Sequence, residues 1–159
     1  KKRAYDLAGI LDKKVAVTLN GQRIKIQSFL EYTDLYELEG DNHPRTHEIV
    51  SSRWEVVATV SEGQFMQASF VNGICTGRGG THVNLVADQI TEKLAEHIKK
   101  KNKDLNLKPF QIKNNLAVFV NCLIENPAFD SQTKETLMME TITTTPRWLK
   151  QPVMEVLWT

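Results

Sequence analysis

The residues from Leu116 to Ile124, LAVFVNCLI, are apolar almost without interruption, and this run constrains the fold more than any other part of the chain. A strand alternates its side chains between two faces, so one that meets water on one side must alternate apolar with polar residues. With Val118, Phe119 and Val120 at its centre, this run predicts a strand covered on both faces, and Asn126-Pro127 then stops it. A helix is predicted from about Val83 to Lys101, because Val83, Val86, Ala87, Ile90, Leu94 and Ile98 recur at three-to-four spacing. Thr81 is its expected N-cap, and Lys99, Lys100 and Lys101 suit the negative end of its dipole. Strand, helix and the Leu116 strand form a β-α-β crossover. The expected class is therefore α+β, a mixed sheet of about four to five strands with helices packed on it.

Two hairpins complete the expected sheet. In VAVTLNGQRIKI, Asn20-Gly21 is the favoured two-residue turn, placing Val17 opposite Ile24 and Val15 opposite Ile26 on one buried face. A second hairpin is expected from Trp54 through Val60, turning at Ser61 to Gln64 and returning as FMQASFVN. Phe29 to Glu39 shows no firm periodicity, and Gly40 to Thr46 reads as a surface loop. His43 and His47 are four apart there, but Pro44 intervenes and no third ligand is evident, so a solvated loop is expected rather than a metal site. Gly73 to Gly80, GICTGRGG, opens onto the helix but matches neither a dinucleotide fingerprint nor a P-loop. It reads as a strand-to-helix connection whose glycines permit unusual backbone angles or close packing.

With 159 residues, of which 41% are hydrophobic, one substantial core and one domain are expected. A net charge of +1 leaves nucleic-acid binding to local clustering. Cys75 and Cys122 lack C-x-x-C spacing and read as reduced core thiols of an intracellular protein. No run approaches the roughly 20 apolar residues that span a bilayer, so a soluble protein without a membrane partner is expected. The start at Lys1, without a methionine and inside what reads as a helix end closed by Gly9, is expected of a piece of a longer chain.

Two features carry chemistry. Asp130-Ser131-Gln132-Thr133-Lys134 follows the apolar strand and its turn, which puts an amide and an ammonium on one loop. A lysine is a point charge suited to a terminal phosphate and Gln132 can donate beside it, although an ordinary polar loop would read the same way. Between Lys93 and Lys113 there are seven lysines against two acids, Glu96 and Asp104. Such a cluster either contacts a phosphodiester backbone, with salt-dependent affinity, or is a solvated helix end matched to its dipole. It holds no arginine, and only Phe110 lies nearby, so base reading is not expected.

Taken in order, the first hairpin, SFVNGICTGRGGTHVNLVADQI, the KKKNK cluster and IENPAFDSQTKE resemble the transducer domain of eukaryotic DNA topoisomerase II, over roughly Lys1 to Met138. The resemblance implies a left-handed crossover, against the usual rule. It implies that residues 1–10 end a preceding nucleotide-binding domain of the GHKL type and that 11–138 form the transducer, while the tail 139–159, with Trp148 and Trp158, resembles nothing recognisable. It implies that Lys134, with Gln132 beside it, reaches the γ-phosphate of ATP as a catalytic group. Lys99, Lys100 and Lys101, followed by Lys103, match the family's DNA-contacting lysine loop. Implied too are Mg2+ without a ligand in this chain, a DNA-cleavage core elsewhere in the parent protein, double-stranded DNA as partner, a homodimeric parent enzyme and a nuclear location. By itself the fragment is expected neither to hydrolyse ATP nor to cut DNA, since no acidic metal cluster is evident and Tyr5, Tyr32 and Tyr36 lack a pattern marking a DNA-attacking tyrosine. Two other readings are a stand-alone module binding phosphate backbones through Lys99 to Lys103 and a truncated interaction protein that blocks full-length subunits.

Overall fold

In the computed structural model, which describes residues 1–36, 44–103 and 107–139, the Leu116 run forms the centre of a five-stranded sheet. The elements are α1 (Lys2–Ile10), β1 (Thr18–Leu19), β2 (Gln22–Arg23), α2 (Phe29–Thr33), β3 (Thr46–Ser51), β4 (Trp54–Val60), β5 (Met66–Val71), β6 (Ile74–Cys75), α3 (Thr81–Lys101), α4 (Pro109–Lys113) and β7 (Leu116–Cys122). The sheet runs β3-β4-β7-β5-β6, with β7 antiparallel to β4 and parallel to β5. The parallel pair β5 and β7 is joined through α3 and α4, which is the expected β-α-β unit.

Alternation along β7 explains its apolar run. Leu116, Val118, Val120 and Cys122 pack into a core with the α3 stripe and Ile112 of α4. Ala117 and Phe119 pack into a second core with Phe29 and Tyr32 of α2. The sheet is therefore the middle of three layers. All six α3 stripe residues are buried.

The second hairpin is not formed, because β7 lies between β4 and β5. The physical reason is that β4 and β5 are themselves buried along most of their length and each needs a strand on both edges. The connection after β4 is tied to the start of β7: Ser61 N–H donates to the Asn115 carbonyl (2.9 Å) and Gly63 N–H to Asn115 Oδ1 (3.1 Å). The hairpin partner of β4 is instead β3, a strand that the loop reading of Gly40 to Thr46 overlaps at Thr46; residues 37–43 lie outside the described residues.

The first hairpin keeps its turn and loses most of its length. Asn20 and Gly21 have φ of 53° and 79°, as the type I′ turn requires, and Ile24 N–H donates to the Val17 carbonyl at 2.9 Å. Each strand has only two residues, however, and Val15 donates into a turn at Asp12 instead of facing Ile26. Ile24 is buried while Val15 is exposed, so the four residues do not share one buried face.

Helix α2 had no periodicity to announce it, but it carries a local start signal. Ser28 Oγ accepts from Glu31 N–H (3.2 Å), and the Glu31 carboxylate reaches back to Gln27 N–H (2.9 Å). Against α2 lies α1, whose Gly9 faces the Tyr32 side chain so closely that an added Cβ would sit 2.5 Å from Tyr32 Cβ. Buried Asp6 of α1 accepts from Tyr32 Oη (2.7 Å) and from Lys2 Nζ (2.9 Å). Burial opposes the charge on Lys2, but the hydrogen bond to Asp6 together with the charge interactions with Cys75, Asp6 and Tyr36 outweighs it, and its pKa is raised overall. Among the described residues no helix is long and apolar enough to cross a membrane.

Candidate functional site

Beyond β7 the chain turns at Asn126 (φ 49°) and Pro127 and enters a short antiparallel excursion. Phe129 bridges Leu137, Met138 N–H donates to the Ala128 carbonyl (2.8 Å), and Asp130 N–H donates to the Thr136 carbonyl (3.2 Å). Gln132 is exposed at the apex and Lys134 closes the turn, its N–H donating to the Ser131 carbonyl at 3.1 Å. Lys134 has φ of 57°, a left-handed conformation uncommon for a residue with a side chain. Such strain costs about 1–3 kcal/mol and persists only where surrounding contacts over-determine it. The Lys134 ammonium stands 5.9 Å from the centroid of the Phe129 ring, and among the described residues it makes no ion pair. A half-buried cation in that setting has its charge available for an anion.

The surrounding contacts come from the glycine-rich connection. Arg78 N–H donates to the Glu135 carbonyl (3.0 Å), Leu137 N–H to the Gly79 carbonyl (3.1 Å) and Thr81 N–H to the Leu137 carbonyl (3.0 Å). Gly80 (φ 135°) lets the two backbones meet. The expected N-cap is corrected here: Gly80 is the N-cap, while Thr81 is the first helical residue and its Oγ1 accepts from Met139 N–H (3.3 Å). Its hydroxyl clamps the end of the loop instead of its own helix. The connection is thus a docking surface, with the glycines used both for unusual angles and for close packing.

Sequence reasoning missed what lies beneath it. Ser69, Thr76 and His82 are buried polar residues, with Ser69 Oγ 2.6 Å from Thr76 Oγ1 and Thr76 Oγ1 3.1 Å from His82 Nε2. Polar residues at alternate positions of a strand, Gln67 and Ser69, beside a histidine just inside a helix were the available signal. Burial pushes the His82 pKa down from 6.5 to about 4. As pH falls the unfolded chain takes up this proton first, so the stability His82 contributes is complete above its unfolded value and is lost as pH falls through the folded one. The loss amounts to about 3 kcal/mol. The urea midpoint of the wild type is therefore expected to fall more steeply between about pH 7 and about pH 4 than that of His82→Gln. Equal slopes would mean that no neutral imidazole is buried at this position.

The lysines separate under inspection. Lys113 pairs with Asp88 (2.9 Å), Lys93 pairs with Glu96 (3.6 Å), and Lys108 precedes α4 as its N-cap. Lys99, Lys100 and Lys101 form the last turn of α3 and Lys103 follows it, all four exposed. At 21 residues, α3 is about 30 Å long, so this cluster and the Lys134 loop lie at opposite ends of one helix.

Other candidates resolve differently. His47 lies on β3 and bonds Glu55 (2.8 Å), while His43 lies outside the described residues. Both cysteines are free thiols; Cys122 is buried and pushed up to about 12 by burial, while Cys75 is only partly covered. Among the described residues no group of three His, Cys, Asp or Glu side chains could hold a metal ion.

Comparison with known proteins identifies the lineage. The family described as DNA gyrase B matches residues 15–157. DNA topoisomerase 2 of Arabidopsis thaliana is 53% identical over 144 residues, covering 87% of this chain and 10% of the relative. DNA topoisomerase 2-alpha of Gallus gallus is 52% identical over 145 residues, covering 87% and 9%. The chain therefore spans about a tenth of the length of these relatives. The ATPase region of Saccharomyces cerevisiae topoisomerase II superposes with a TM-score of 0.84 at 42% identity, covering 98% of this chain and 39% of that one. The ATPase and transducer domains of Balamuthia mandrillaris DNA topoisomerase II give 0.86 at 38% identity, covering 98% and 39%. The mixed sheet with its crossover, the docked lysine loop and this similarity lead to one conclusion: the chain belongs to the DNA gyrase B and DNA topoisomerase II family, as a transducer segment of the ATPase region.

Proposed function

We propose that the chain couples ATP binding and hydrolysis to gate movement and duplex passage in an ATP-dependent type II DNA topoisomerase. The observation that carries this reading is the attachment of the Lys134 loop, through Thr81 and Leu137, to the end of α3 opposite Lys99, Lys100 and Lys101. ATP, held mainly by a preceding GHKL domain to which residues 1–10 would belong, supplies the terminal phosphoryl group and its charge. Lys134, unpaired among the described residues and fixed in one conformation, meets that charge, and Gln132 donates beside it. Positioning and charge stabilisation dominate phosphoryl transfer, so a lysine delivered from a second domain acts only at the correct domain angle. After hydrolysis this contact is lost, and a difference in contacts between the two nucleotide states biases domain orientation by about 1–3 kcal/mol. Helix α3 extends any tilt of the loop over its length, and its far lysines face the backbone of double-stranded DNA. The parent enzyme would be a nuclear homodimer carrying its cleavage core outside this chain.

Comparing ATP turnover with Lys134 intact and replaced tests the catalytic half of the reading. For the other half, replacing Lys99, Lys100 and Lys101 together by alanine should abolish most DNA stimulation of the ATPase and leave the rate without DNA unchanged. Losing three phosphate contacts should also flatten the slope of log affinity against log salt by about 2–3. An unaltered DNA response would return the cluster to a solvated helix end.

A further inference from the structure

The hydrogen atoms of the buried polar chain can be assigned by elimination. Gln67 Nε2 donates to the Gly77 carbonyl (2.9 Å), which turns Gln67 Oε1 toward Ser69 Oγ at 2.9 Å. Ser69 has one hydroxyl hydrogen, and both Gln67 Oε1 and the Thr76 carbonyl (3.1 Å) can only accept it. Were Ser69 to donate to Thr76 Oγ1 instead, Thr76 would donate to His82 Nε2 and leave a buried Nδ1–H without a partner. The Ser69 hydrogen therefore goes to one of the two acceptors, and the 2.6 Å contact is Thr76 Oγ1 donating to Ser69 Oγ. Thr76 in turn has no hydrogen left for His82, so His82 Nε2 carries the proton and donates to Thr76 Oγ1 at 3.1 Å. The imidazole is neutral, and Nδ1, which has no partner, is a bare lone pair rather than a stranded N–H.

This one-way chain from His82 to Gly77 fastens both ends of the connection to β5. Between those ends lie Arg78, Gly79 and Thr81, whose backbone bonds hold Glu135 and Leu137 directly after the turn closed by Lys134. We propose that His82 is a positioning residue for Lys134, acting through Thr76, Ser69 and the backbone of residues 77–81, so that its Nε2–H sets where the lysine ammonium stands. The proposal rests on the reading of Lys134 as the phosphate-contacting group.

The test uses the full-length ATP-hydrolysing enzyme carrying this chain and measures turnover for His82→Phe and His82→Gln, each with Lys134 and with Lys134→Ala. Displacement of about 1 Å can cost up to a hundredfold, so His82→Phe should lower turnover by about tenfold or more when Lys134 is present. In the Lys134→Ala background it should cause no further loss, because the group it positions is gone. His82→Gln, whose amide N–H can take the place of Nε2–H, should recover turnover to within about threefold of wild type. Equal losses in both backgrounds, or failure of glutamine to rescue, would overturn the positioning role. An unchanged rate in Lys134→Ala alone would overturn the phosphate reading and this proposal with it, which is a different pattern. Should His82→Phe prevent folding, Thr76→Val, which keeps the shape and removes the acceptor, carries the same comparison.

Discussion

Lys134→Ala in the ATP-hydrolysing parent enzyme is expected to lower turnover by about 10²- to 10³-fold, the range seen when one preorganised donor to developing charge is removed. Folding and DNA affinity should be unaffected, because the Lys134 ammonium makes no ion pair among the described residues and stands well away from the lysines at the far end of α3. A substitution to glycine separates strain from charge. Lys134 is held at φ of 57°, where glycine has no steric penalty. Lys134→Gly should thus match or exceed the wild type in urea midpoint, by up to about 1 kcal/mol, while being as inactive as the alanine variant. Arginine keeps the charge but spreads it over a planar fork, so Lys134→Arg should recover only part of the rate. Turnover that survives alanine in a folded enzyme would make the loop structural and remove the catalytic half of the proposed function.

Gly80→Ala should be the most destabilising single-methyl change in the loop's support. Its added Cβ would lie 2.4 Å from the Leu137 carbonyl oxygen and 2.5 Å from the Leu137 nitrogen, both backbone atoms that cannot rotate away. It would also force a side chain onto φ of 135°. Together, backbone strain and overpacking should cost about 3 kcal/mol or more, read as a drop in urea midpoint without a change in slope. Gly73 is the internal control: it also has positive φ, but a Cβ there would meet open space, so Gly73→Ala should cost only the strain of the turn, about 1 kcal/mol. Equal effects at the two positions would mean that the chain at Leu137 does not press on the connection. Because the same displacement moves the turn that bears Lys134, turnover should fall with stability in Gly80→Ala and stay near wild type in Gly73→Ala.

The parts of this fold legible in advance are those whose information is local and periodic. Val83 through Ile98 recur once per turn, and every one of the six is buried where the recurrence put it. The unbroken run from Leu116 identified a two-sided strand for the same reason, since side-chain direction follows from backbone geometry alone. Asn20-Gly21 specified its turn because a type I′ turn needs positive φ at both central residues. The lysine loop and lysine cluster were legible as residue types, although their separation along α3 and the pairing of Lys93 and Lys113 with acids were not.

What the amino-acid order alone determined, then, is which segments become strand or helix and which faces seek cover. Only the tertiary structure decided which segments lie side by side. The strand at Trp54–Val60 takes Leu116–Cys122 as its neighbour in place of the nearby Met66–Val71, and residues 135–137 dock on 78–81 across more than fifty positions of chain. Those choices are made through backbone N–H and carbonyl groups, which every residue but proline carries alike, and through the burial that results. Adjacent apolar strands therefore look equally suited to pair until a third, with no face or edge to leave in water, is placed between them.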